Sequence, residues 1–295
     1  MASAPPLRIW LYSAVLMASV LALLALLRWA PWRAPDYAIA NHTRQFLAAP
    51  PSGGKVRVLG LGSSLLWAAT PPALVPIALP GIDWMRMTKP GPGIGYLEPS
   101  LDIIDRNPPD ILVIDENILL PDQDNVIMDQ LRQDFILESK GLAFRLAGDV
   151  RLAPPQAYAA LVDQREAFAC ATVPADIRRR ETLKNAANIQ LVFNNPAVNP
   201  QLIRRLQRLA QRGVRIVLLE LRRAEWVEQI IAPEKQRWLS RLRQALPPGP
   251  NIHYLTSPHY AQQDLHCDGS HMNAAGARLF APWWATQLQQ LRDGR

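Results

Sequence analysis

Val56-Arg57-Val58-Leu59-Gly60-Leu61-Gly62-Ser63-Ser64 is the stretch on which the reading of this chain turns. A short apolar run closed by glycine reads as a buried strand entering a tight turn, which leaves two serines at the end of the element. Two more runs of the same kind follow. Ile82-Asp-Trp-Met-Arg-Met-Thr88 gives way to Lys89-Pro-Gly91-Pro-Gly93-Ile-Gly95, and Ile111-Leu-Val-Ile-Asp115 gives way to Glu116-Asn117. In an open parallel sheet, ligand groups collect at the carboxyl ends of the strands. Ser64, a glycine-rich turn carrying Gly93 or its neighbour Gly91, and Asn117 are therefore expected on one rim.

Downstream, helical and extended patterns alternate. Pro200 to Arg212 predicts a helix stopped by Gly213, and Val214 to Leu221 a strand. A helix from Pro233 to Leu246, a strand from Asn251 to Leu255 and a last helix from Asn273 to Leu291 follow, with Gln190 to Phe193 as a further short strand. Within 122–185, Val126 to Leu137 and Pro155 to Ala171 have helical spacing; this region reads as a helical insertion that covers or shapes a substrate cleft. The series predicts an α/β fold, a three-layer α/β/α sandwich with a mostly parallel sheet, over 56–295. With 295 residues, 49% of them hydrophobic, the chain has ample apolar material for one large core. No internal repeat is evident.

The chemistry comes from pairing Ser64 with Asp268-Gly-Ser-His271-Met-Asn-Ala-Ala-Gly276. A serine hydroxyl becomes nucleophilic at neutral pH when a histidine takes its proton and a carboxylate holds that histidine in the right tautomer. The Asp-x-x-His spacing lets Asp268 and His271 share one turn of chain ahead of a helix; Asp264 is the rival carboxylate. A backbone N–H at Gly93 and the Asn117 amide are the donor types that an acyl-transfer oxyanion needs.

With these blocks in this order, from about Val56 to Ala281, the chain resembles the SGNH hydrolases, also called the GDSL family. Gly62-Ser63-Ser64 matches the first block, Gly93 the second, Pro109 to Asn117 the third and Asp268 to His271 the last. The resemblance implies Ser64 as nucleophile, Asp268 and His271 as the rest of a triad, and an oxyanion hole from the Ser64 N–H, the Gly93 N–H and the Asn117 amide. It implies no cofactor. The aspartate usual before the nucleophile is Ser63 here, and Ile118 stands after Asn117 where many members have an acidic residue. Such variants look like membrane-linked members that modify cell-surface polymers. The implied activity is a serine-dependent O-acetyl esterase or O-acyltransferase acting through an acyl-enzyme on a cell-envelope or extracellular polysaccharide. The alternatives are a lipid or thioester esterase, and a scaffold of a polysaccharide-modification complex that keeps the fold without turnover.

Ile9 to Leu27 is an apolar run without a charge. As a helix rising ~1.5 Å per residue it would come close to the ~30 Å of a bilayer core. Arg28, Trp29, Trp32 and Arg33 follow, rather than the small residues of a cleavage site. The expectation is an uncleaved, single-pass inner-membrane anchor over 1–33, a Pro/Gly-containing linker over 34–55 and a periplasmic or extracytoplasmic domain. Membrane proteins of a polysaccharide-modifying machine are candidate partners. The net charge of +7 gathers around Ile177 to Arg180 and Leu202 to Arg208, but neither an aromatic platform nor a zinc spacing accompanies it, so nucleic acid is not expected. The spacings of His253, His259, His266 and His271 match no familiar ligand pair, and no metal is expected. Cys170 and Cys267 either pair in an oxidising compartment or remain two free thiols.

Overall fold

A computed structural model describes residues 6–29, 46–48, 54–71, 74, 80–88, 98–120, 170, 175–194, 198–260 and 265–294. Its elements in chain order are α1 (Leu7–Trp29), β1 (Val56–Gly62), α2 (Ser64–Ala69), β2 (Ile82–Thr88), α3 (Glu98–Arg106), β3 (Ile111–Asp115) and a 3-10 turn (Glu116–Leu119). Then come α4 (Ala175–Phe193), α5 (Pro200–Gln211), β4 (Arg215–Glu220), α6 (Glu225–Ala245), β5 (Ile252–Thr256) and α7 (Ala274–Arg292). The five strands form one sheet in the order β2-β1-β3-β4-β5, and every pairing is parallel. After β1 the chain leaves to one side to form β2 and returns on the other side to form β3. That reversal opens a crevice between the carboxyl ends of β1 and β3, where open α/β sheets bind ligands.

The strands are apolar on both faces because helices cover both. Leu59, Leu61, Leu112, Ile114, Ile216 and Leu218 pack with residues of α3, α4, α5 and α6. Val58, Ile111, Val113, Val217 and Leu219 point the other way, against α2 and α7. Alternation along each strand therefore divides the core in two. Trp238 of α6 meets Phe193 of α4 edge-on on the first face, and Trp284 of α7 meets Trp84 of β2 on the second.

Two expectations need correction. Gln190 to Phe193 is the last turn of α4 and not a strand: Ala186 and Phe193 are buried while Leu191 is 64% exposed, a helical division of faces. The helix expected to start at Pro233 starts at Glu225, with Pro233 inside it; Glu225 and Glu228 sit in its first turn, where carboxylates suit the helix dipole. The insertion expected over 122–185 falls largely on 121–169, outside the described residues, as do residues 30–45 and 49–53 of the expected linker. The apolar run expected to span a membrane is helical, as α1, and its described side chains, as far as Leu23, are all exposed. Among the described residues, however, no helix is long and apolar enough to cross a membrane.

Candidate active site

The turn that carries Ser64 is built from backbone packing. β1 ends at Gly62, where a Cβ would lie 2.5 Å from the Leu66 Cβ, so only glycine lets α2 fold back this tightly on the strand end. Ser63 is the N-cap of α2: its Oγ accepts from the Leu65 N–H at 3.1 Å. Ser64 is thereby the first residue of α2, in the turn whose N–H groups have no intrahelical acceptor. At the other end of this short helix, the buried Arg86 guanidinium donates to the carbonyls of Trp67, at 2.6 Å, and of Thr70. A cation there complements the helix dipole and secures the element that carries Ser64.

Asp268 to His271 forms the opposing loop. Asp268 Oδ1 accepts from the N–H groups of Ser270 (3.0 Å) and His271 (2.9 Å), and the Cys267 N–H donates to the His271 carbonyl at 2.8 Å. Gly269 has φ +78° and leaves no room for a side chain against Trp226, Thr182 and Val227, while its carbonyl accepts from the Ala224 N–H at 2.8 Å. The loop is thus closed on itself and pinned to the start of α6.

The sequence places Ser64 far from Asp268 and His271, and the fold brings the three into one chain of contacts. His271 Nδ1 lies 2.7 Å from Asp268 Oδ2, and His271 Nε2 lies 2.7 Å from Ser64 Oγ. Burial opposes the charge on Asp268, but hydrogen bonds and the charge of His271, with the Ser270 N–H, outweigh it and hold the carboxyl at about 2. A charged carboxylate only accepts, so in the neutral imidazole Nδ1 carries the hydrogen and Nε2 is left to accept from Ser64. This tautomer suits a general base.

Asp115, which sequence reasoning read only as the end of a strand, ties the crevice together. It is fully buried; its Oδ2 accepts from the Ser63 N–H (3.0 Å) and Ser63 Oγ–H (2.5 Å), and its Oδ1 accepts from the Asn117 N–H (3.0 Å). One carboxylate therefore couples the turn after β1 to the turn after β3. It also gives a reason for serine at position 63, since an aspartate there would set two buried carboxylates against each other. Asn117 Nδ2 lies 3.5 Å from Ser63 Oγ, and its Oδ1 accepts from Arg223 Nη2 at 2.9 Å. Gly93 and its rival Gly91 lie outside the described residues, as does Asp264.

Behind Asn117 is an ionic cluster that sequence reasoning also missed. Lys235 Nζ lies 2.8 Å from Glu220, 3.0 Å from Glu228 and 3.3 Å from Glu116, and is itself buried. Burial raises the Glu116 carboxyl to about 8, against the pull of Lys235. The available signal was Lys235 itself, a charge in register with the apolar face Val227, Ile231, Trp238 and Leu242. Among the described residues, no group of histidine, cysteine, aspartate and glutamate side chains could hold a metal ion.

Cys170 and Cys267 are joined in a disulfide, 97 residues apart in sequence, which fastens a distant stretch of chain to the residue before Asp268. Closing a loop of that length restricts the unfolded chain, and Cys170→Ser is expected to cost about 2–4 kcal/mol of stability. Thermal unfolding with and without reductant checks this: wild type should lose stability on reduction, while Cys170→Ser should not respond.

No family model and no curated protein matches the chain. Among solved structures, it is similar to a Streptococcus pneumonia protein named for platelet activating factor, at 14% identity and a TM-score of 0.41, over 92% of this chain and 98% of that one. It is also similar to a family two carbohydrate esterase from Cellvibrio japonicus, at 12% identity and a TM-score of 0.40, covering 83% of this chain and 63% of that one. An acetyl xylan esterase from the rumen bacterium Butyrivibrio proteoclasticus is similar at 9% identity and a TM-score of 0.35, over 83% of this chain and 66% of that one.

Proposed function

We propose that the protein is a serine-dependent esterase or O-acyltransferase that handles an acyl group, such as acetyl, on a cell-envelope or extracellular polysaccharide. The carrying observation is the unbroken relay from Ser64 Oγ through His271 to Asp268, at 2.7 Å in each step. In this reading Ser64 Oγ attacks the ester carbonyl carbon as its proton passes to His271 Nε2. The carbonyl oxygen takes up negative charge among the Ser64 N–H, the Gly93 N–H and the Asn117 amide. When the tetrahedral intermediate collapses, the C–O bond to the leaving alcohol breaks and that oxygen receives the proton from Nε2. The acyl-enzyme is then attacked by water, which gives an ester hydrolase, or by a sugar hydroxyl, which gives a transferase.

The polysaccharide class follows from the resemblance of the variant first and third blocks to membrane-linked family members. The cysteine pair supports an oxidising compartment outside the cytoplasm. Membrane attachment is proposed from the sequence alone, on the uncharged apolar run Ile9 to Leu27. The protein is expected in the membrane fraction after an alkaline carbonate wash, and recovery as a processed soluble form would refute attachment. The full chain in detergent should release acetate from an acetylated glycan or move acetyl from a donor ester onto an unacetylated one. If neither occurs with acyl donors that do label Ser64, the polysaccharide assignment is wrong. Failure of every ester to acylate Ser64 would leave the scaffold reading in its place.

A further inference from the structure

We infer that Arg223 is a positioning residue that sets the direction of the Asn117 amide, so that its N–H groups face the reacting oxygen; this rests on the esterase reading above. Both ends of an asparagine amide have nearly the same shape, so packing alone does not decide which end faces the substrate. Hydrogen bonding does. A guanidinium has five N–H donors and no acceptor, so the atom of Asn117 that meets Arg223 Nη2 at 2.9 Å has to be the carbonyl oxygen. Nδ2 is then turned to the other side, where Ser63 Oγ lies at 3.5 Å, beside the nucleophile. A flipped amide would set N–H against N–H in a place with little water. The cation also polarises the amide and strengthens Nδ2–H as a donor.

Arg223 can do this because it is held. Its side chain is buried, its own N–H donates to Glu228 Oε1 at 2.8 Å, and its Nη1 lies 4.0 Å from the same oxygen. Lys235 fixes Glu228 in turn and links it to Glu220, at the end of β4, and to Glu116, the residue before Asn117. Such a buried ionic cluster is an expensive way to fill a core, where apolar residues of similar volume often stabilise more. Fixing an orientation is a use that apolar residues could not serve.

The test measures turnover of 4-nitrophenyl acetate by the full chain in detergent, for Arg223→Met, Arg223→Lys, Asn117→Ala and Asn117→Ala/Arg223→Met. Arg223→Met should lower kcat by about 10²-fold, the scale of losing one oxyanion donor, with KM within about threefold of wild type. Arg223→Lys keeps a charge for Glu228 and secures folding, yet its single ammonium lacks the fork that reaches Asn117, so kcat should still fall about tenfold or more. The double variant should match Asn117→Ala within about threefold, because the two residues serve one donor. Full additivity, or wild-type kcat in the two Arg223 variants, would overturn the assignment. If wild type turns over no faster than Ser64→Ala, the esterase reading fails by itself. The placement of Arg223 is then read from the Asn117 side-chain amide resonances of asparagine-labelled protein. These should shift and exchange faster with water in Arg223→Lys but not in Ser64→Ala; resonances unchanged in Arg223→Lys would refute the placement.

Discussion

Ser64→Ala is expected to lower acetyl-ester turnover by about 10⁴–10⁶-fold while leaving the fold intact, because it removes the hydroxyl that lies 2.7 Å from His271 Nε2. Ser63→Ala is the informative companion. Ser63 is buried, and its hydroxyl is engaged with Asp115 and the Leu65 N–H rather than with the histidine. Losing it removes an N-cap and one partner of a buried carboxylate, so the expected loss is about 1–2 kcal/mol of stability with Ser64 still reactive. A serine-directed phosphonate should label Ser64 in wild type and in Ser63→Ala. Labelling of Ser63 in its place would overturn the assignment.

The second large effect is at Asp268. Asp268→Asn keeps the shape but turns an acceptor-only group into one that can also donate, so Nδ1–H is no longer required and the imidazole can adopt the unproductive tautomer. A fall of about 10⁴ in the acylation rate is expected. Asp264→Asn should stay close to wild type, and side-by-side single-turnover rates decide between the two carboxylates. The acidity of Asp268 gives a second readout. With its folded value lowered from 3.8 to about 2, the unfolded chain binds this proton first as pH falls. Its contribution to stability is fully present above pH 4 and is lost as pH drops from about 4 to 2. Acid unfolding curves should show less loss over that window in Asp268→Asn than in wild type, and an equal loss in both would contradict the hydrogen-bonded geometry.

The parts of this fold that were legible in sequence are those whose signal is local. β1, β2 and β3 were bounded correctly because each is a short apolar run with glycine, proline or a polar cluster at its end. Ser64, His271 and Asp268 could be singled out because each stands at an element end within two residues of a glycine. The Gln190 to Phe193 stretch misled because three apolar residues in a row carry no period of their own; only Ala186, a turn and more upstream, shows that Phe193 belongs to a helical face. Pro233 misled because proline opens many helices, whereas here the apolar face of α6 begins earlier, at Val227. Asp115 and Arg223 had no local signature, and Lys235 showed only as a charge in register with an apolar helical face. Each has a partner on a distant element, as with Arg223 and Asn117, 106 residues apart, and the sheet order makes them neighbours.

The sequence separation of 207 between Ser64 and His271 has a consequence in time. Translation proceeds at roughly 5–20 residues per second, so Ser64 is made about 10–40 seconds before His271. Until β4, β5 and the last loop have joined the sheet, Ser64 is an ordinary alcohol with nothing to accept its proton. On the proposed reading, the polypeptide therefore carries an unactivated serine through most of synthesis, and reactivity arrives only with the loop after β5 that holds His271.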